Sequence, residues 1–255
     1  MTRDGRIEYR ERTYRQCLTE ARWRSFTVKY KETDLWIGVD RASWRPGMPS
    51  RTLSLVRALR EEMDRYLDLD PGYAAALTPY PAGEGAPGIF REMSRVALLS
   101  GIGPMSAVAG AVARRVGETL QRVFACREVL VENGGDIYAA IEHPADIAVF
   151  AGASPLSGRV GLTIRPDRSP LGICTSSGTV GPSLSFGKAD AVTIVCRDCA
   201  LADSYATAFG NRVQAEEDID SCLEEIGKVP EILAAVCIKG ERIGIRGEFD
   251  LKIWK

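Results

Sequence analysis

Histidine is almost missing from this chain of 255 residues; His143 is the single one. That scarcity argues against a histidine-built zinc centre. Because His143 stands beside Pro144 in a loop-like stretch without an evident Ser or Cys partner, it also argues against a hydrolytic triad. Long hydrophobic runs are lacking as well. The opening MTRDGRIEYR is charged where a signal peptide needs an apolar core, and no later segment stays apolar over the roughly 20 residues that span a bilayer. A cytoplasmic protein without a membrane partner is expected. Charge of one sign is missing too: 33 Lys+Arg against 34 Asp+Glu give a net charge of -1, which speaks against nucleic acid as a partner. Seven cysteines, an odd number spread over a mid-sized chain, read as reduced thiols rather than a disulfide framework.

What is present is an ordinary globular composition, 45% hydrophobic and 26% charged, over a length that suits one large or internally duplicated domain. Alternating runs at 6–14, 24–30 and 34–39 read as short antiparallel strands, in a region crowded with arginine. Leu55, Val56, Leu59, Met63, Tyr66 and Leu67 mark an amphipathic helix over 52–67. Residues 71–88, dense in Pro, Gly and Ala, read as a loop, and helices are expected at 89–99 and 104–124. The second of these is rich in Ala and Gly on several sides, which suits close packing against a sheet or a ligand. Strands follow at 129–131, 137–141, 147–150, 160–164, 172–174 and 191–196, then helices, then a meander of strands at 232–238, 242–245 and 249–253. Strands, helices, strands, helices, strands is an α+β order, with antiparallel sheet covered by helices on one side.

Three segments carry candidate chemistry. In Cys196-Arg-Asp-Cys-Ala-Leu-Ala-Asp203-Ser-Tyr-Ala-Thr207 an apolar strand gives way to a helix capped by Asp198. Asp203 and Thr207, at i and i+4, place two hard oxygen ligands on one helix face, as magnesium requires. Leu201, Tyr205, Ala208 and Phe209 form the apolar face, while Ala200, Ala206, Gly210 and Asn211 flank the pair. A solvated face usually carries long charged side chains; this one leaves room for a ligand. Asn133-Gly134-Gly135-Asp136 is a hairpin turn signal. The same glycines would let a ligand lie against bare backbone while Asp136 or Glu132 accepts its hydrogen bonds. Thr175, Ser176, Ser177 and Gly178 serve equally as an ordinary turn or as a cradle of hydroxyls and amides for phosphate or ribose. The stretch is no P-loop, since Gly181 to Gly187-Lys188 has the wrong spacing, and Gly101-Ile-Gly103 is no dinucleotide fingerprint. Cys196 and Cys199 form one CxxC at a helix N-terminus, where a thiolate would be stabilised for redox or sulfur chemistry; buried structural cysteine is the plainer reading.

In this order the motifs resemble the ApbE-like superfamily, most closely its short cytoplasmic branch found in anaerobic bacteria and archaea. The resemblance runs from about residue 89 onward. It implies an α+β fold of duplicated tunnelling-fold-like units, one domain over 1–255 with two related halves, about 1–125 and 126–255. It further implies that Asn133, Gly134, Gly135 and Asp136, with Thr175, Ser176, Ser177 and Gly178, contact FAD or a related nucleotide. Asp203 and Thr207 would bind Mg2+ in a magnesium-dependent transferase; the better-known members transfer FMN from FAD to a protein threonine. Two motifs of that reaction are absent: Met105-Ser-Ala-Val-Ala-Gly110 stands where a lysine-glycine motif belongs, and Gly181-Pro-Ser-Leu-Ser-Phe-Gly187 lacks a histidine. The branch is also associated with sulfur assimilation and homocysteine formation. An accessory sulfur-handling protein with sulfur-assimilation partners, using Cys196, Cys199 or Cys174, is therefore one alternative, and a non-catalytic scaffold is another.

Overall fold

The computed structural model describes residues 22–179 and 185–254, so the strand expected at 6–14 lies outside the described residues. A first hairpin, β1 (Trp23–Tyr30) and β2 (Thr33–Asp40), is followed by helices α1 (Met48–Leu69), α2 (Pro71–Ala75), α3 (Gly88–Ser100) and α4 (Val108–Phe124). A second hairpin, β3 (Val129–Asn133) and β4 (Asp136–Ala140), comes next. After β5 (Ala145–Ala148) and β6 (Val160–Ile164), the chain forms β7 (Leu171–Ser176) and β8 (Ala191–Cys196), then α5 (Cys199–Gly210) and α6 (Asp218–Ile226), then β9 (Ile232–Lys239) and β10 (Arg242–Gly247), with β11 (Asp250–Ile253) last. Hairpin, helices, hairpin thus occurs twice. Eight strands make one antiparallel sheet in the order β1-β2-β3-β4-β7-β8-β9-β10, and β11-β6-β5 make a smaller one.

Side-chain alternation divides the large sheet between two cores. Val129, Val131, Tyr138, Cys174 and Ile194 join Met63, Phe90, Met93, Val112 and Val116 under the helices. Leu130, Ile137, Ile173, Val195 and Val236 face the other way and pack with Ile147, Leu162 and Ile164 of the small sheet. The helices therefore cover one face as expected, and the second sheet covers the other. The sequence reason is visible in β8, whose six residues are all buried. A strand apolar on both faces needs cover on both.

Two expected elements differ in detail. The stretch read as a loop at 71–88 begins with α2, capped by Asp70, whose Oδ1 accepts from Tyr73 N at 3.2 Å. Tyr73 fills the core and donates its hydroxyl to the Phe90 carbonyl at 2.9 Å, which together with the Asp70 cap anchors the Pro-Gly segment. The helix expected over 104–124 is split into a 3-10 turn, Pro104–Ala107, and α4. No single helix among the described residues is long and apolar enough to cross a membrane. The bent pair of α3 and Pro104–Phe124 passes on length and composition, but Ile89, Phe90, Met93, Val96, Val112, Val116 and Leu120 are core residues while Leu98, Leu99 and Val123 are exposed.

Candidate functional site

The β3–β4 turn sits at one end of the large sheet, with Gly134 at φ 72° and Gly135 at φ 104°. Such positive φ angles suit the two central residues of a tight hairpin, and glycine adopts them without a Cβ clash. Glu132 accepts a hydrogen bond from Gly135 N at 2.9 Å and is thereby committed to the turn. Asn133 donates from Nδ2 to the Ala109 carbonyl at 3.1 Å, tying the turn to the start of α4. Asp136 lies opposite Cys174 in the β4–β7 register, on the face that looks toward the helices.

Over that face lies α5. Asp198 caps it, accepting from Ala200 N at 3.0 Å and Leu201 N at 3.3 Å. Arg95 and Arg114 both contact the Asp198 carboxylate, and Arg114 also reaches Glu92 at 3.2 Å, so α3, α4 and α5 meet in one ion-pair network. One turn into α5, Asp203 Oδ2 accepts from Gly110 N at 2.8 Å. The Ala109 N–H also lies on this carboxylate. The capping position of α4 itself, Ala107, has no side-chain oxygen. Asp203 thus caps α4 from another helix, satisfying donors that would otherwise be orphaned.

The small residues expected to leave room beside Asp203 in part admit other backbone instead. A Cβ on Gly110 would stand 2.4 Å from the Cys199 carbonyl oxygen and 2.9 Å from Asp203 Cβ. A Cβ on Gly187 would stand 1.9 Å from the Gly210 carbonyl oxygen, and one on Gly178 would stand 2.1 Å from that of Gly187. Correspondingly, every residue of α5 is buried except Thr207. The expected polar face is not a solvated one, and Thr207 is its opening to the surface.

The Thr175–Gly178 segment is divided by strand alternation. Ser176 is on the helix side, with its Oγ 3.4 Å from where a Gly210 Cβ would be. Thr175 is on the opposite face, its hydroxyl 2.8 Å from that of Thr193, and reaches the site only through its backbone N–H, which lies on the Asp136 carboxylate. Ser177 Oγ accepts from Thr179 N at 3.1 Å, an internal turn contact. Asp136, Asp203, the Thr175 backbone N–H and the start of α4 therefore meet, while Ser176 lies farther along α5, beside Gly210. Thr207 lies one helical turn beyond Asp203.

Electrostatically this place is acidic and dry. Burial, and then the neighbouring Asp203, push Asp136 well above the usual carboxylate range. Burial raises Asp203 to about 7, against the pull of the Gly110 and Ala109 N–H groups. Asp136 Oδ1 is buried with no hydrogen-bond partner. Two adjacent carboxylates in a low-dielectric site need a proton or a cation between them.

Cys196 and Cys199 are both buried. Burial, then Asp198, raises the Cys196 thiol. At Cys199 the hydrogen bond with Cys174 lowers the pKa, but burial together with Asp136, Asp203 and Asp198 leaves the thiol above its ordinary value. Burial and the nearby carboxylates thus work against the thiolate that a helix N-terminus would favour. Two surface clefts lie elsewhere, one of about 220 Å³ lined by Arg51, Leu55, Leu120 and Phe124, and one of about 350 Å³ lined by Ile232, Leu233 and Arg246.

Sequence reasoning missed two contributors. The Ala109 and Gly110 N–H groups became visible only once α4 met α5, although the small residues of α4 were a signal of close approach. Ser204, fully buried, contacts the hydroxyls of Ser100 at 2.7 Å and Ser106 at 2.9 Å, and nothing in the spacing of three serines on three elements announces that.

Over residues 15–225 the sequence matches the profile of the family described as AbpE bacteria. The chain belongs to that family. Relatives of this AbpE bacteria chain include the UPF0280 protein of Methanosarcina barkeri, 39% identical over 76% of this chain and 76% of that one. The UPF0280 protein of Methanocaldococcus jannaschii is 32% identical over 89% and 91% respectively. Among solved structures, the AbpE bacteria chain is similar to the flavinyl transferase ApbE of Pseudomonas stutzeri, apo form, with a TM-score of 0.59 at 15% identity over 88% of this chain and 93% of that one. The ApbE protein of Thermotoga maritima gives 0.57 at 12% identity over 89% and 97%. At such identities the likeness concerns the fold, and it bears out the ApbE-like architecture expected from the motifs.

Proposed function

We propose that this protein binds a flavin or another nucleotide with a pyrophosphate, FAD or a related molecule, together with Mg2+, where β4, β7 and α5 meet. The observation that carries the reading is Asp136 Oδ1, buried without a partner beside the raised carboxylate of Asp203. The donors suit magnesium. Among the described residues no three His, Cys, Asp or Glu side chains form a cage for a metal. The chain would thus offer two carboxylates and the Thr207 hydroxyl, leaving other positions to phosphate oxygens and water, as Mg2+ prefers. When bound, Mg2+ would neutralise charge on the pyrophosphate during transfer of a nucleotidyl or flavin group. Gly134 and Gly135 would lie against the ligand, Ser176 and Ser177 would face its phosphates, and Thr175 would contribute backbone, whereas Gly178 is taken up by packing, its N–H donating to the Ala189 carbonyl at 2.9 Å and the Gly187 backbone standing against it. FMN transfer to a protein threonine is the weaker part of the reading, because the lysine-glycine and histidine motifs are absent from this sequence. We read the repeated hairpin-helices-hairpin order as two related units, β1–β4 and β7–β10, with the boundary after β4 rather than near residue 125 as expected from the sequence; the site then lies where β4 pairs β7.

A second reading has its own observation. Asp203 already caps α4, so a scaffold without ligand would also keep it. The sulfur-handling alternative would need opening of the fold, since all six cysteines among the described residues are buried. Calorimetric titration of FAD with and without MgCl2 separates these. The proposal expects magnesium-dependent binding, weakened at least about tenfold, or 1.4 kcal/mol, by Asp136→Asn. The scaffold expects no binding by wild type or variant, and that result would refute the proposal.

A further inference from the structure

The sequence draws the eye to Cys196 and Cys199, but the fold brings Cys199 against a different cysteine. Cys174 points from β7 toward the helices, and Cys199 is the first residue of α5. Gly172, on the same face of β7, permits the approach: a Cβ there would stand 2.3 Å from Cys199 Cα. The two sulfurs are 3.8 Å apart, and the Cys174 thiol also lies 3.4 Å from the Cys199 carbonyl oxygen. A disulfide requires about 2.05 Å, so the two sulfurs, 3.8 Å apart, must close by roughly 1.8 Å to form one.

We propose that Cys174 and Cys199, both fully buried in the closed fold, form a reversible disulfide when opening of the β7–α5 contact admits a peroxide, making this cross-element pair the protein's oxidation-sensitive site. One thiol attacks the peroxide, the O–O bond breaks, and a sulfenic acid forms with release of water (or an alcohol from an alkyl peroxide). The second sulfur then attacks the sulfenic sulfur. The S–S bond forms, the S–O bond breaks, and hydroxide leaves with the second thiol's proton as water. Two sulfurs lose two electrons in all, and the peroxide gains them. The bond would tie β7, which carries Ser176, to α5, which carries Asp203, next to Asp136. Oxidation would thereby act on the candidate site without consuming any of its oxygen ligands.

Trypsin separates the three cysteines, because Arg168, Lys188, Arg197 and Arg212 bound peptides 169–188, 189–197 and 198–212, which hold Cys174, Cys196 and Cys199 in turn. The full chain is treated with hydrogen peroxide, denatured, blocked with N-ethylmaleimide, digested and weighed by mass spectrometry. The expected product is 169–188 joined to 198–212, two hydrogens lighter than the sum and separated again by dithiothreitol. A link between 189–197 and 198–212, or full alkylation of both Cys174 and Cys199 after peroxide, would overturn the proposal.

Discussion

Replacing Gly110 with alanine sets helix propensity against packing, and the structure decides the sign. In an exposed helix interior the change would stabilise by about 1 kcal/mol. Here the new Cβ would sit 2.4 Å from the Cys199 carbonyl oxygen and 3.0 Å from the carbonyl carbon, both backbone atoms that cannot rotate away. To restore an ordinary contact of about 3.4 Å, the first turn of α4 must retreat from α5 by roughly 1 Å, with overpacking costs of about 1–3 kcal/mol. The same retreat stretches the 2.8 Å hydrogen bond from Gly110 N to Asp203, a charge-assisted bond worth about 1.5–3 kcal/mol when intact. Partial loss of that bond plus overpacking exceeds the propensity gain, leaving a net loss of about 2 kcal/mol. For a chain of this size that lowers Tm by about 4–8 °C. Thermal unfolding followed by circular dichroism gives the answer directly. A Tm equal to or above wild type would refute the claim that α4 and α5 meet backbone to backbone at this point.

Three further outcomes follow from named contacts. Asp203 and Asp136 both have raised pKa values in the folded chain; without added cation the contribution of Asp203 to stability is full below about pH 4 and is lost as pH rises through about 7, and that of Asp136 falls in the same direction. For Asp203 a shift from 3.8 to about 7 caps that loss at about 4 kcal/mol. Urea unfolding in EDTA should therefore show wild type losing stability relative to Asp203→Asn between pH 5 and pH 8, and a gain over that window would contradict the assignment. Thr175→Val should leave nucleotide binding unchanged because its hydroxyl faces Thr193, whereas Ser176→Val should weaken it several-fold; a titration in which Thr175→Val is the more damaging would reverse the face assignment. Arg114→Met leaves Glu92 and Asp198 with fewer cations in a part-buried network and should cost about 1–3 kcal/mol by urea denaturation, less than for a fully buried pair because the Arg114 side chain is 28% exposed; an unchanged midpoint would mean that the network adds nothing.

Local patterns carried most of the secondary structure. Periodicity located α1, Asn-Gly-Gly located the β3–β4 hairpin, and Asp198 fixed the start of α5 one residue later. What the sequence could not show was which neighbour fills a small-residue face. Ala and Gly around Asp203 suit a ligand or another helix equally, and only the position of α4 shows that Gly110 takes much of that space. The opposite facing of Thr175 and Ser176 needed the strand register, since a hydroxyl run in a turn has no fixed alternation while the same run at a strand end does. The CxxC spacing likewise suggested a dipole-stabilised thiolate. The burial and carboxylates that oppose this effect come from β4 and α5, far apart in sequence.

The central claim is that Asp136 and Asp203 share a divalent cation. Crystals soaked in MnCl2 and measured for anomalous scattering test it most directly. The account predicts a manganese peak between the Asp136 and Asp203 carboxylates, near Thr207, in wild type and not in Asp136→Asn. Manganese bound only elsewhere, or a wild-type map with no peak at that position, would contradict it.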